Sequence, residues 1–193
     1  MTLSNDQYNA ALNNHIVHAI GLAFNDLDST STKAPSQFFI TVMFKEGSVP
    51  IQHASSAVFS RFSNLYNATC EALLGKNSHR PNVARLRPVV AAFLDAEGSR
   101  YANRLVALSN AHIHSIWAVH PDQVQSFIES FESPKVMMTR GRYEIDKIDI
   151  RPVARLDDLR TVTSYSTKLL RYNRFSLDAG ADFEFYPKGQ NGH

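Results

Sequence analysis

The chain has one cysteine, Cys70, among 193 residues. That excludes an internal disulfide and fits a reducing cytosol. Cys70 falls in a helix-like stretch, where a lone thiol reads as a small buried apolar group. Long hydrophobic runs are missing too: none approaches the ~18 residues that a spanning helix needs, so no membrane association is expected. The first ten residues, MTLSNDQYNA, lack a basic stretch followed by an apolar one. No secretory signal is read there, and a cytoplasmic location is expected. There is no G-x-x-x-x-G-K-[ST], hence no P-loop and no evident ATP-driven motor. Internal repeats and low-complexity tracts are likewise absent.

Net charge is small, at +2, but unevenly spread. Residues 135–174 hold ten Lys/Arg against five acids, and the remainder of the chain holds ten against thirteen. A basic block on a nearly neutral protein suggests a local polyanion surface, although solvated helix faces also collect Lys and Arg. The apolar content, 44%, is enough to build the core of one domain.

Hydrophobic periodicity orders the chain. Tyr8, Leu12, Ile16, Ile20, Ala23 and Leu27 predict an amphipathic helix over 6–27. A polar loop follows over 28–37. "FFITVMF" (38–44) predicts a buried strand, and 55–74 a long helix with Gly75 as its cap. Residues 76–85 read as loop. Strands are predicted over 87–98 and 111–120, joined by a connection of about a dozen residues (99–111). Pro121 starts a helix that Ser133-Pro134 ends. "IDKIDIRPV" (145–153) alternates as a fourth strand. Asp157 is a plausible N-cap for a last helix through about Arg174. The tail, 176–193, has little periodicity. The order predicts an α+β, ferredoxin-like (split βαβ) antiparallel sheet, with helices on one face and the other face left for a site. The division expected is an N-terminal helical extension and linker (1–34), a core domain (35–175) and a C-terminal tail (176–193).

"AHIHSIWAVH" (111–120) carries the chemistry. Residues i and i+2 of a strand share a face, so His112 and His114 present two imidazoles side by side. Such a pair arises on solvent faces by chance, and it also forms metal sites when a neighbouring strand adds a ligand. The preceding strand offers Glu97, the first choice, and Asp95, the alternative with the same parity. A His-His-carboxylate set suits Mn²⁺, Mg²⁺ or Zn²⁺ with positions left open for a substrate oxygen. In the last helix, "YSTK" puts Tyr165 and Lys168 on one face. Taken alone, Y-x-x-K also fits an amphipathic helix with a half-buried Tyr and a snorkelling Lys. Trp117 reads as core. His120, before Pro121, reads as part of the turn from strand to helix.

The apolar first strand, "HIHSIW" and "YSTK" come in the order and on the element types of three motifs, over roughly residues 38–174. In this the chain resembles the HUH single-strand endonucleases, where U is a bulky apolar residue, and among them the rolling-circle replication initiators. The resemblance implies metal-dependent nicking and joining of single-stranded DNA. The Tyr165 hydroxyl would attack a phosphodiester and keep the 5′-phosphate as a phosphotyrosine. A divalent ion, Mn²⁺ or Mg²⁺, would sit on His112, His114 and Glu97 or Asp95. Lys168 would orient or neutralise the phosphate, making the last helix a catalytic one. Arg140, Arg142, Arg151, Arg155, Arg171 and Arg174 would line the strand's path. The implied partners are single-stranded DNA or an origin hairpin of a plasmid, phage or mobile element, with a host helicase as a further candidate because no helicase domain is present. Tyr172 is not at the close spacing of two-tyrosine initiators, which points to a single-tyrosine enzyme. A relaxase or single-tyrosine transposase would share this chemistry. A non-catalytic ferredoxin-like nucleic-acid-binding module is the alternative from a different class.

Overall fold

The computed structural model describes residues 11, 14, 15, 18, 19, 35–45, 49–95, 107, 108, 110–154, 156–166 and 183–188. Among them the strands are β1 (Ser36–Phe44), β2 (Val49–Pro50), β3 (Val89–Asp95), β4 (Ala107–Leu108), β5 (His112–Val119), β6 (Ile145–Val153) and β7 (Phe183–Tyr186). The helices are α1 (Ile51–Leu74), α2 (Pro81–Ala84), α3 (Val124–Ser130), α4 (Pro134–Arg142) and α5 (Leu156–Ser166), with a 3-10 turn at Pro121–Gln123 before α3. Ala11, Asn14, His15, His18 and Ala19 are helical, within the helix predicted over 6–27.

Five strands form one sheet in the order β6-β1-β5-β3-β7, and every neighbouring pair is antiparallel. The first four follow the ferredoxin-like order that the sequence predicts, and β7 extends the sheet beyond β3. β2 and β4 make a separate two-stranded ladder. β1 is apolar and β-branched over most of its length, and it is buried on both faces as a central strand.

α1 lays Val58, Phe59, Phe62, Leu65, Tyr66 and Cys70 against one face of the sheet. Gly75 ends it as predicted, with φ +82° and its N–H donating to the Glu71 carbonyl at 2.9 Å. An added Cβ there would meet nothing within 4 Å, so the positive φ is what calls for glycine. On this face Trp117 is fully buried, with ring centroids of Phe127 at 5.4 Å, Tyr66 at 5.7 Å, and Phe62 and Phe131 at 6.1 Å. Its Nε1–H donates to Ser115 Oγ at 2.8 Å, and that hydroxyl donates to the Ile40 carbonyl at 2.9 Å. The indole is therefore both packed and satisfied. Trp117→Ala should destabilise the fold by about 3–5 kcal/mol, read as a lowered urea midpoint. A loss of under about 1 kcal/mol would show that this face is not the core. Burial also pushes the Cys70 thiol up from its ordinary range, as suits a structural cysteine.

Four expectations need correction. Residues 76–85, read as loop, include the short helix α2, which Pro81 opens. Ser133-Pro134 ends one helix but also starts another: the Ser133 hydroxyl accepts from Val136 N–H and proline fills the first helical position of α4. Asp157 lies inside α5, which begins at Leu156. The weakly periodic tail contains β7, too short to show a period. Tyr186 anchors it in the core, 4.9 Å from the Tyr66 ring and 5.5 Å from Phe62.

Candidate metal centre

The second sheet face carries the site. Alternation on β5 sends Ile113, Trp117 and Val119 into the α1 layer and His112, His114, Ile116 and Ala118 to the opposite side. On β3 the same side carries Val89, Ala91, Phe93 and Asp95, and on β1 it carries Phe39 and Thr41. This face is not open throughout. Val162 of α5 packs on an apolar patch of Phe39, Val89, Ala91, Phe93, Ile116 and Ala118.

Register brings the ligands together. Asp95 pairs with His112 across the β3–β5 ladder, and Phe93 pairs with His114. One carboxylate oxygen, Asp95 Oδ2, lies 3.2 Å from His112 Nε2 and 3.1 Å from His114 Nε2. One ligand atom from each of the three residues falls within 4.8 Å of the others. Two ligands each about 2.1 Å from one ion, at angles of roughly 90–110°, stand about 3.0–3.4 Å apart. The spacing therefore suits a single cation, and this buried Asp-His-His group can hold a metal ion.

Hydrogen bonding sharpens that conclusion. His112 Nδ1 is 2.9 Å from the Asn110 carbonyl. A carbonyl only accepts, so Nδ1 carries the proton, and in a neutral ring Nε2 is a bare lone pair. That lone pair faces a carboxylate oxygen. Two acceptors at this distance need a proton or a cation between them. Asn110 reaches the position with φ 49°, a left-handed conformation that Asn tolerates better than most residues. His114 Nδ1 meets Thr41 Oγ1 at 3.1 Å. Both histidines are thus oriented through Nδ1, the usual support for ligation through Nε2.

Tyr165 comes to this centre from α5. Its ring is 4.8 Å from His114 and 6.4 Å, edge on, from Phe39, which itself stacks on His114 at 5.3 Å. Tyr165 remains 37% exposed, so the residue borders solvent beside the buried His114 imidazole.

Of the predicted site residues, Asp95, His112, His114 and Tyr165 are brought together. Asp95, the alternative third ligand, lies against both imidazoles; Glu97 lies outside the described residues, as do Lys168, Arg155, Arg171 and Arg174. Arg151 stands opposite Phe39 and so on the same face as His112 and His114, where it pairs with Asp149 at 2.7 Å. Arg140 and Arg142 do not join it. They sit on α4, whose Val136 belongs to the α1-side core. Arg140 hydrogen-bonds the Asp146 carbonyl, and Arg142 lies over the Tyr143 ring. His120 caps the 3-10 turn, its Nδ1 accepting from Asp122 N–H at 3.2 Å. Sequence reasoning missed Thr41 and Asn110. The signal for Thr41 was present, as the one polar side chain in "FFITVMF".

No family model, curated protein or solved structure matches this chain. Among the described residues, no helix is long and apolar enough to cross a membrane.

Proposed function

We propose that this protein is an HUH-type, metal-dependent endonuclease and strand transferase that nicks and rejoins single-stranded DNA to start rolling-circle replication of a plasmid, phage or mobile element. The observation that carries the reading is the Tyr165 ring beside His114, on the face where Asp95 gathers two imidazoles. A phenol next to a cation site, open to solvent on one side, is the arrangement that phosphotyrosine chemistry needs.

Asp95, His112 and His114 would hold the ion, Mn²⁺ or Mg²⁺. When bound it supplies Lewis-acid stabilisation of charge on the phosphate oxygens. Tyr165 would lose its proton to solvent and attack phosphorus. The new bond joins phosphorus to the tyrosine oxygen, and the phosphorus–O3′ bond breaks. The departing 3′ oxygen takes a proton and becomes a 3′-OH. One ester replaces another, so rejoining needs no ATP. Lys168 would steady the phosphate. Arg151 and Lys147, which share the metal face, would meet the DNA backbone, and the helix-borne Arg140 and Arg142 would not.

The test is incubation with Mn²⁺ and labelled single-stranded or hairpin oligonucleotides, scored on denaturing gels. A covalent protein–DNA band and a free 3′-OH product are expected, both abolished by EDTA. Salt-dependent DNA binding with no adduct, unchanged by EDTA, would point instead to the non-catalytic nucleic-acid module.

A further inference from the structure

We infer that Thr41 is a positioning residue for the cation site: its hydroxyl holds the His114 ring in both of its tautomers, accepting from Nδ1–H when the cation is bound and donating to Nδ1 when it is not. This rests on the metal reading above and adds a residue and a role to it.

The two histidines are anchored differently. The Nδ1 of His112 faces a carbonyl oxygen, which can only accept, so that ring keeps its proton on Nδ1. Nδ1 of His114 faces the Thr41 hydroxyl at 3.1 Å, and a hydroxyl does both. On the other side of the ring, Nε2 of His114 is 3.1 Å from Asp95 Oδ2. Without a cation, the best arrangement puts the proton on Nε2, which donates to the carboxylate, and Thr41 donates to Nδ1. With a cation, Nε2 must be bare. The proton then sits on Nδ1, and Thr41 accepts it. His114 is almost wholly buried and is stacked on Phe39. It has little access to water as a substitute for this hydroxyl, so a side chain lacking it would take away the hydrogen bond at Nδ1 in the loaded state.

Register makes Thr41 the residue able to do this. It lies directly across the β1–β5 ladder from His114, two positions from Phe39 on the same face. Valine has nearly the shape of threonine without the hydroxyl, and serine keeps the hydroxyl.

Mn²⁺ titration by calorimetry on wild type, Thr41→Val and Thr41→Ser is the first arm. Thr41→Val should bind about 10–100-fold more weakly, and Thr41→Ser should recover to within about threefold of wild type. Equal affinity of Thr41→Val and wild type overturns the inference. So does equal weakening by Val and Ser, which would mean packing rather than the hydroxyl. The second arm needs no variant: ¹⁵N imidazole spectra of the wild type, metal-free and Zn²⁺-loaded. The protonated nitrogen of His114 should move from Nε2 to Nδ1 on loading, while His112 keeps its proton on Nδ1. A His114 proton that stays on one nitrogen overturns the exchange. A wild type that binds neither ion removes the metal reading itself, an outcome separate from a failure of Thr41.

Discussion

Tyr165→Phe should bind Mn²⁺ as the wild type does and form no covalent DNA adduct, with the cleavage rate down by about 10⁴-fold or more. The substitution deletes one oxygen from a side chain that is over a third exposed. The ring that remains still meets His114 and Phe39, so the fold should shift by no more than about 0.5 kcal/mol. Loss of the adduct without loss of metal or stability isolates the nucleophile. An adduct that persists in the variant would transfer the chemistry to another residue and end the role given to Tyr165.

Asp95→Asn should abolish the stabilisation that Mn²⁺ gives. At a free concentration near a hundred times Kd, a ligand that binds the folded state stabilises it by about 2.7 kcal/mol. In a chain of this size that raises Tm by roughly 5–11 °C. Asparagine keeps the volume of the side chain and can donate from its amide to a bare imidazole nitrogen, so the metal-free variant should still fold cooperatively. It lacks the negative charge that draws the cation between two neutral rings. The expected Mn²⁺-induced shift for the variant is under about 1 °C by differential scanning calorimetry, with strand cleavage lost in parallel. A variant with the full shift would place the ion elsewhere and leave the buried carboxylate a purely structural hydrogen-bond acceptor.

Much of the site was legible because strand parity is a strong constraint. His-Ile-His in a β-forming run fixes two imidazoles on one face whatever the rest of the chain does. Parity could not choose between Asp95 and Glu97, which share it. The choice depends on which residue falls opposite His112, and that is set by how the connection between the two strands closes. The basic block misled in part for a related reason. Its residues are contiguous in sequence, yet α4 lies on the α1 side of the sheet while Lys147 and Arg151 of β6 face the other way. Charge counted along a chain does not record the turn at Glu144, whose φ of 55° reverses the direction between them. The element order identified the four-strand sheet; β7, with four residues, carried too little pattern to be seen. Thr41 was visible as one hydroxyl in an apolar strand, but its partner, His114, is set only by the register of the ladder.

The late strand β7 gives the carboxylate's strand a neighbour on each flank, since β3 is bonded to β5 on one side and to β7 on the other. Trimming the protein at residue 175, where the pattern invites a boundary, would turn β3 into a rim, with unpaired amides bordering the anion that gathers both imidazoles. The segment that looks most dispensable in the alphabet of the chain is the outer brace of the strand that carries Asp95.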